Sequence, residues 1–232
     1  MVSEVREAAM SHRFPELNLR RTGRQGDPIA RFTIHQFLSQ HYINLFTKLE
    51  EYLTSEGEQY WADIQKLSRR SAREDLNSWA FATLYPNTVR YAIFISLYNQ
   101  FEFAMNEACT ELEKDYPNDV KLSDLKDKGI NRAYTYIKKV VGIPQPFEAA
   151  SWKKLKDLNA LRNLIVHNDS NITDKNRQVE AIKAIERISA WAPVTMQETK
   201  VVLSKDFMER VNRFLYEQVQ YIGEKLQAAG WE

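Results

Sequence analysis

The 232-residue chain has a single cysteine, Cys109. That excludes an intrachain disulfide and a cysteine-based zinc site, and it fits a reducing compartment. No run approaches the roughly 18 apolar residues of a membrane span. The opening Met-Val-Ser-Glu-Val-Arg-Glu is charged where a secretory signal would be apolar. The expectation is a cytoplasmic protein with no membrane partner. Only seven glycines are present, most of them at expected helix ends. There is no glycine-rich phosphate loop, zinc-ligand spacing or Gly-x-Ser-x-Gly elbow, so neither cofactor nor metal is expected. A net charge of +1 argues against a simple basic nucleic-acid coat, and any RNA binding must come from a local patch.

What remains is largely helical pattern. With 44% hydrophobic residues, the chain has ample material for one large domain or a small one with additions. Residues 1–27, with Arg13, Arg20, Arg21 and Arg24 among Pro15, Gly23 and Gly26, read as a flexible basic arm, either a solvated leader or a contact to RNA or a partner. Asp27-Pro28 is a helix start, and Phe37, Leu38, Tyr42, Leu45, Phe46, Leu49, Tyr52 and Leu53 predict a helix that Gly57 closes. His35 and His41, six apart on it, are read as ordinary helix residues rather than a metal pair.

Tyr60, Ile64 and Leu67 predict a second helix over 58–75, whose later turns carry Lys66, Arg69, Arg70 and Arg73. Those four are either a solvated basic face or a patch that holds an RNA backbone. Asn87 is expected to cap the longest helix, apolar on nearly every side from Val89 to Met105 and therefore central. Ser96, Asn99, Glu102 and Asn106 form one narrow polar stripe on it, facing either solvent or a polar cleft.

Beyond it, Ile130, Tyr134, Ile137 and Val141 predict a helix ending at Gly142. Another runs from about Phe147 with Trp152, Leu155, Leu158, Leu161 and Ile165 on its packing side. Val179, Ile182, Ile185 and Ile188 follow on a helix that Asp174 caps. Residues 194–203 read as a small β-hairpin around Gln197-Glu-Thr199. Ser204 caps a last helix with Phe207, Val211, Leu215, Val219, Ile222 and Leu226 on one side. The fold class is all-α: a helical bundle over 76–232, an N-terminal helical extension over 28–75 that forms one unit with it, and that hairpin.

The chemistry gathers at Leu158-Asn-Ala-Leu-Arg-Asn-Leu-Ile-Val-His-Asn-Asp-Ser-Asn171. Arg162 carries permanent charge and His167 titrates near neutrality, a combination suited to work on a phosphodiester. Arg6 and His12 repeat a looser version of the spacing, but in a Pro-broken segment. On a straight helix, residues five apart point about 140° away from one another, so Arg162 and His167 separate, whereas Asn163 and His167, four apart, share a face. Asn168-Asp-Ser-Asn171 is a plausible helix end, which puts His167 in the last turn.

Leu-Arg-Asn-Leu-Ile-Val-His-Asn-Asp resembles the signature of the HEPN superfamily (higher eukaryotes and prokaryotes nucleotide-binding domain), helical proteins carrying Arg, a polar residue and then His. The resemblance covers the motif helix closely and the central helix loosely, and leaves out the first 75 or so residues. It implies a homodimer in which two motifs face each other and form one metal-independent endoribonuclease site, with Arg162, Asn163 and His167 catalytic and RNA as substrate. It leaves open phage defence, toxin activity or RNA processing in a bacterium or archaeon. In a shared cleft, Glu102 is expected to orient His167 or Arg162, with Asn99 and Asn168 in support. Some small toxin members carry a tyrosine two places after the histidine, the target of a partner nucleotidyltransferase. Asp169 stands there in this chain, which argues against an antitoxin partner of that kind and leaves any other regulator unidentified. The competing expectation is a non-catalytic HEPN-like binding or regulatory module.

Overall fold

A computed structural model of the chain describes residues 28–67, 71–115, 120–174 and 178–230. The basic arm 1–27 and the residues Arg69 and Arg70 lie outside that set. The architecture is an all-α bundle with one two-stranded antiparallel hairpin. No helix among the described residues is long and apolar enough to cross a membrane.

Helix α1, Pro28–Gln65, lies along the central helix α3, Tyr85–Asp115. Its core stripe is Phe32, His35, Ser39, Tyr42, Ile43 and Phe46, while Leu45 and Tyr52 face outward. The expected apolar stripe is therefore rotated, because α1 is apolar on both sides and its outer residues satisfy the same periodicity. Gly57 does not end the helix. It is not among the glycines with positive φ, and a Cβ on it would stand 3.5 Å from Phe81 Cβ. The cost of a mid-helix glycine, about 1 kcal/mol, is outweighed by packing along α3.

The second helix likewise differs from expectation. Residues to Gln65 belong to α1, and a new helix α2, Ala72–Trp79, starts at Ser71, whose side chain and that of Glu74 form a reciprocal capping box. Asn87 caps nothing: α2, a π-helical turn Ala80–Leu84 and α3 run on as one rod. Pro86 supplies the physical reason for the turn. Its ring removes one donor and crowds the carbonyl four residues back, and the Tyr85 N–H instead closes onto Ala80 O.

As its composition predicts, α3 is buried on most sides, through Phe94, Leu97, Tyr98, Phe101, Met105, Ala108, Cys109 and Leu112. Helix α4, Gly129–Lys139, ends where Gly142, at φ 84°, lets the Ile143 N–H return to Ile137 O at 3.1 Å. Helices α5, Ala149–Asn168, and α6, Val179–Ser189, pack on each other. Trp152 stacks on Tyr134 at 4.1 Å at the core's edge. Strands β1, Val194–Gln197, and β2, Lys200–Leu203, pair from Val194↔Leu203 to Gln197↔Lys200. The hairpin is held on the helices by Arg90, which donates to Leu203 O at 2.9 Å and forms a two-point ion pair with Glu50 of α1. In α7, Lys205–Ala228, capped by Ser204 through the Phe207 N–H, the expected stripe Phe207 to Leu226 is buried.

Candidate functional site

The motif helix α5 buries Leu155, Leu158, Leu161, Leu164 and Ile165, which turns Arg162 toward the neighbouring rod α3. There it meets the polar stripe. Arg162 Nε and Nη2 donate to Asn99 Oδ1 at 3.3 and 3.1 Å, and Nη1 donates to Asn163 Oδ1 at 2.9 Å. Both partners are uncharged amides, so the guanidinium is fixed in place with no carboxylate paired to it among the described residues. A guanidinium has five N–H groups; these contacts leave one on each terminal nitrogen, and Asn163 Nδ2 has no acceptor among the described residues.

His167 lies in the last turn of α5, exposed, with no hydrogen bond to Arg162, Asn163 or Glu102 among the described residues. The helix ends on Asp169 in left-handed geometry, φ 47°, followed by Ser170 at φ 59°. Asp tolerates that region better than most residues. The Ser170 conformation is held by pairing to the hairpin: the Val201 N–H donates to Ser170 O at 3.0 Å and the Ile172 N–H to Thr199 O at 2.8 Å. Lys200 Nζ reaches Asp169 Oδ2 at 3.0 Å, and the Tyr91 hydroxyl of α3 donates to Val201 O. Burial raises the Tyr91 phenol above its ordinary pKa, with Ser170 the next influence on it. The strand β2 thus fixes where the motif's tail leaves the helix, a role the local sequence of the motif does not signal. Asn168, exposed, accepts the Asn171 N–H through its carbonyl at 2.9 Å.

Glu102 occupies a different place from the one expected. Its carboxylate sits over Gly129, the first residue of α4, so closely that a Cβ there would lie 2.6 Å from Oε2. A carboxylate at a helix N-terminus is favoured by the unpaired N–H groups and the helix dipole, and Glu102 hydrogen-bonds neither Arg162 nor His167 among the described residues. One turn on, Asn106 Oδ1 accepts from Arg132 Nε and Nη2 at 3.2 and 3.1 Å. The polar stripe on α3 therefore meets an arginine at Asn99, a helix start at Glu102 and a second arginine at Asn106.

Lys66 is exposed and pairs with Asp63 at 2.8 Å in the turn that closes α1, while Arg73 is exposed in the first turn of α2. The two lie on opposite sides of a helix break rather than on one continuous face. Around Arg162 the surface carries two exposed apolar side chains, Phe103 of α3 and Val166 of α5. No three His, Cys, Asp or Glu side chains gather into a metal-holding group among the described residues. No family model, curated protein or solved structure matches the chain.

Proposed function

We propose that the chain is a metal-independent endoribonuclease that works as a homodimer, its composite site built from Arg162, Asn163 and His167 of two protomers. The observation that carries this reading is Arg162, held by two amide oxygens and paired with no carboxylate among the described residues, on the motif helix that ends at His167, with Phe103 and Val166 exposed one turn from Asn99 and Arg162. In the reaction, a ribose 2'-oxygen attacks its own 3'-phosphorus and the bond from phosphorus to the 5'-oxygen breaks. The products carry a 2',3'-cyclic phosphate and a 5'-hydroxyl. One His167 takes the 2'-hydroxyl proton and His167 of the second protomer protonates the departing 5'-oxygen. Arg162 places its remaining N–H groups against the extra negative charge on the pentacoordinate phosphorus, and Asn163 Nδ2 donates to a phosphate oxygen.

The second reading, a non-catalytic binding or regulatory module, is favoured by one observation: the His167 ring has no hydrogen-bond partner among the described residues. A second copy packed over Phe103 and Val166 would supply one. Purified protein is expected to cleave RNA in EDTA and to lose that activity in His167→Ala with its fold intact; undiminished cleavage by the variant overturns the assignment. Because the mechanism uses both His167 side chains, a dimer of one wild-type and one His167→Ala protomer is expected to be as inactive as the His167→Ala homodimer rather than half active. A monomer with full activity overturns the composite site.

A further inference from the structure

Beside the end of the motif helix, α2, the π turn, α3 and the hairpin enclose a cavity of about 670 Å³. That volume lies within the range of small-molecule sites, roughly 300 to 1,000 Å³. Ile165 and Asp169, which on the motif helix lie nearer the direction of Arg162 than that of His167, belong to its wall, so whatever enters the cavity approaches the proposed reaction centre from the arginine side. Its apolar surface comes from Trp79, Tyr91, Ile95 and Val202, and its hydrogen-bonding groups include Asn87, Thr88 and Asn171. Trp79 is half exposed at the last residue of α2, before the π turn. Asn87 Oδ1 is shut off from water without a hydrogen-bond partner among the described residues. A buried acceptor left unmade is costly, and a rotation of the amide into the cavity would let a ligand N–H satisfy it.

The charges select the ligand further. Asp169 and Glu198 place two carboxylates in the lining against one ammonium, Lys200, which is already paired with Asp169. Such a lining repels a phosphate and accepts a flat, uncharged ring with donor and acceptor edges. Arg162, paired with no carboxylate among the described residues, belongs to the adjoining face. We infer that the cavity is a base-binding subsite: it takes the uncharged nucleobase of a nucleotide flanking the scissile phosphate, stacked against Trp79 and edge-bonded to Asn87. This inference rests on the endoribonuclease reading and adds to it a determinant of where the strand is cut.

The test uses the full chain and a short 2'-O-methyl RNA oligonucleotide, which lacks the attacking hydroxyl and so reports binding apart from cleavage. Affinity is read by fluorescence anisotropy for the wild type, for Trp79→Ala, which removes the stacking wall, and for Ala92→Trp, which fills the cavity from an exposed helix position. Stacking of one base on an aromatic side chain corresponds to about tenfold in affinity, so each variant is expected to bind about tenfold more weakly. An abasic site in the flanking nucleotide is expected to cause the same loss in the wild type and none in the variants. Equal affinity of all three proteins for the intact oligonucleotide overturns the subsite and leaves the endoribonuclease reading standing. A wild type that binds no oligonucleotide of any sequence overturns both.

Discussion

Two arginines contact side chains of the same helix, and they are held in opposite ways. Arg187 of α6 donates through Nε and Nη2 to both oxygens of Asp157 at 2.8 and 2.5 Å, and Asp157 is only 4% exposed. The hydrogen bonds that Arg187 donates to Asp157 push its pKa still higher, and each charge cancels the other. Arg162 is held by three longer hydrogen bonds to Asn99 and Asn163, by dipoles rather than by a charge. The first pair fastens α6 to α5. The second fixes the direction of a cation whose charge is left for something outside the fold, which is what an anion site requires.

Removing each arginine should therefore break different things. In the proposed reaction, Arg162→Ala is expected to lower cleavage by two to three orders of magnitude, as loss of one transition-state donor does, while the midpoint of urea unfolding stays almost unchanged. Arg187→Ala should do the reverse. It leaves a buried carboxylate without its cation, a destabilisation of about 3 kcal/mol, visible in the same unfolding curve. Arg187→Met combined with Asp157→Leu should regain much of that loss, because the buried charge is gone as well. If Arg162→Ala unfolds the protein as readily as Arg187→Ala, the distinction between the two arginines collapses.

His35 shows a third way in which the fold treats an ionisable group. It is 2% exposed, edge-on to Phe101 at 5.9 Å, and neither ring nitrogen has a hydrogen-bond partner among the described residues. With no counter-charge, burial lowers its pKa to about 4, so the ring is kept neutral. The unfolded chain binds the proton near pH 6.5. The stability due to the neutral ring is thus complete above that pH, declines as pH falls through the interval, and is lost below about 4, a change of about 3 kcal/mol. In His35→Phe, the slope of unfolding free energy against pH between 6.5 and 4 is expected to flatten; an unchanged slope would place the acid sensitivity elsewhere.

These three sites were unequally legible in the sequence. Arg162, Asn163 and His167 declare themselves through local order, and Asn99 could be found because a polar residue repeating on an apolar rod demands a partner. The partner of Glu102 could not be read, since Gly129 reaches φ +58° and the carboxylate only through the packing of α4 on α3. Gly57 and Asn87 depart from expectation for a related reason: each matches a helix-end signal, and tertiary packing along α3 overrides the first while continuation from α2 overrides the second. The Ser71–Glu74 box is readable by spacing alone, but the helix that Tyr60, Ile64 and Leu67 predict over 58–75 runs across it. The burial of His35 escaped because α1 is apolar on both faces. The cavity beside the motif draws residues from 79 to 202, a separation no local pattern reports.

The smallest expected effect is also the one that tests the comparison most directly. Asn99→Asp puts a carboxylate where the amide oxygen now lies, 3.1 to 3.3 Å from Nη2 and Nε of Arg162, and so gives Arg162 the kind of partner that Arg187 has. The geometry hardly changes; only the charge does. At an exposed residue such as Asn99, the new ion pair should raise stability by no more than about 1 kcal/mol. Its carboxylate also repels an incoming phosphate, and RNA affinity is expected to fall about tenfold, with the salt dependence of binding shallower by about 0.7 in log–log slope, the loss of one phosphate contact on a single strand. Should affinity and slope both stay at the wild-type values, the charge on Arg162 is not what meets the strand, and its amide cradle is no more than another fastening between α5 and α3.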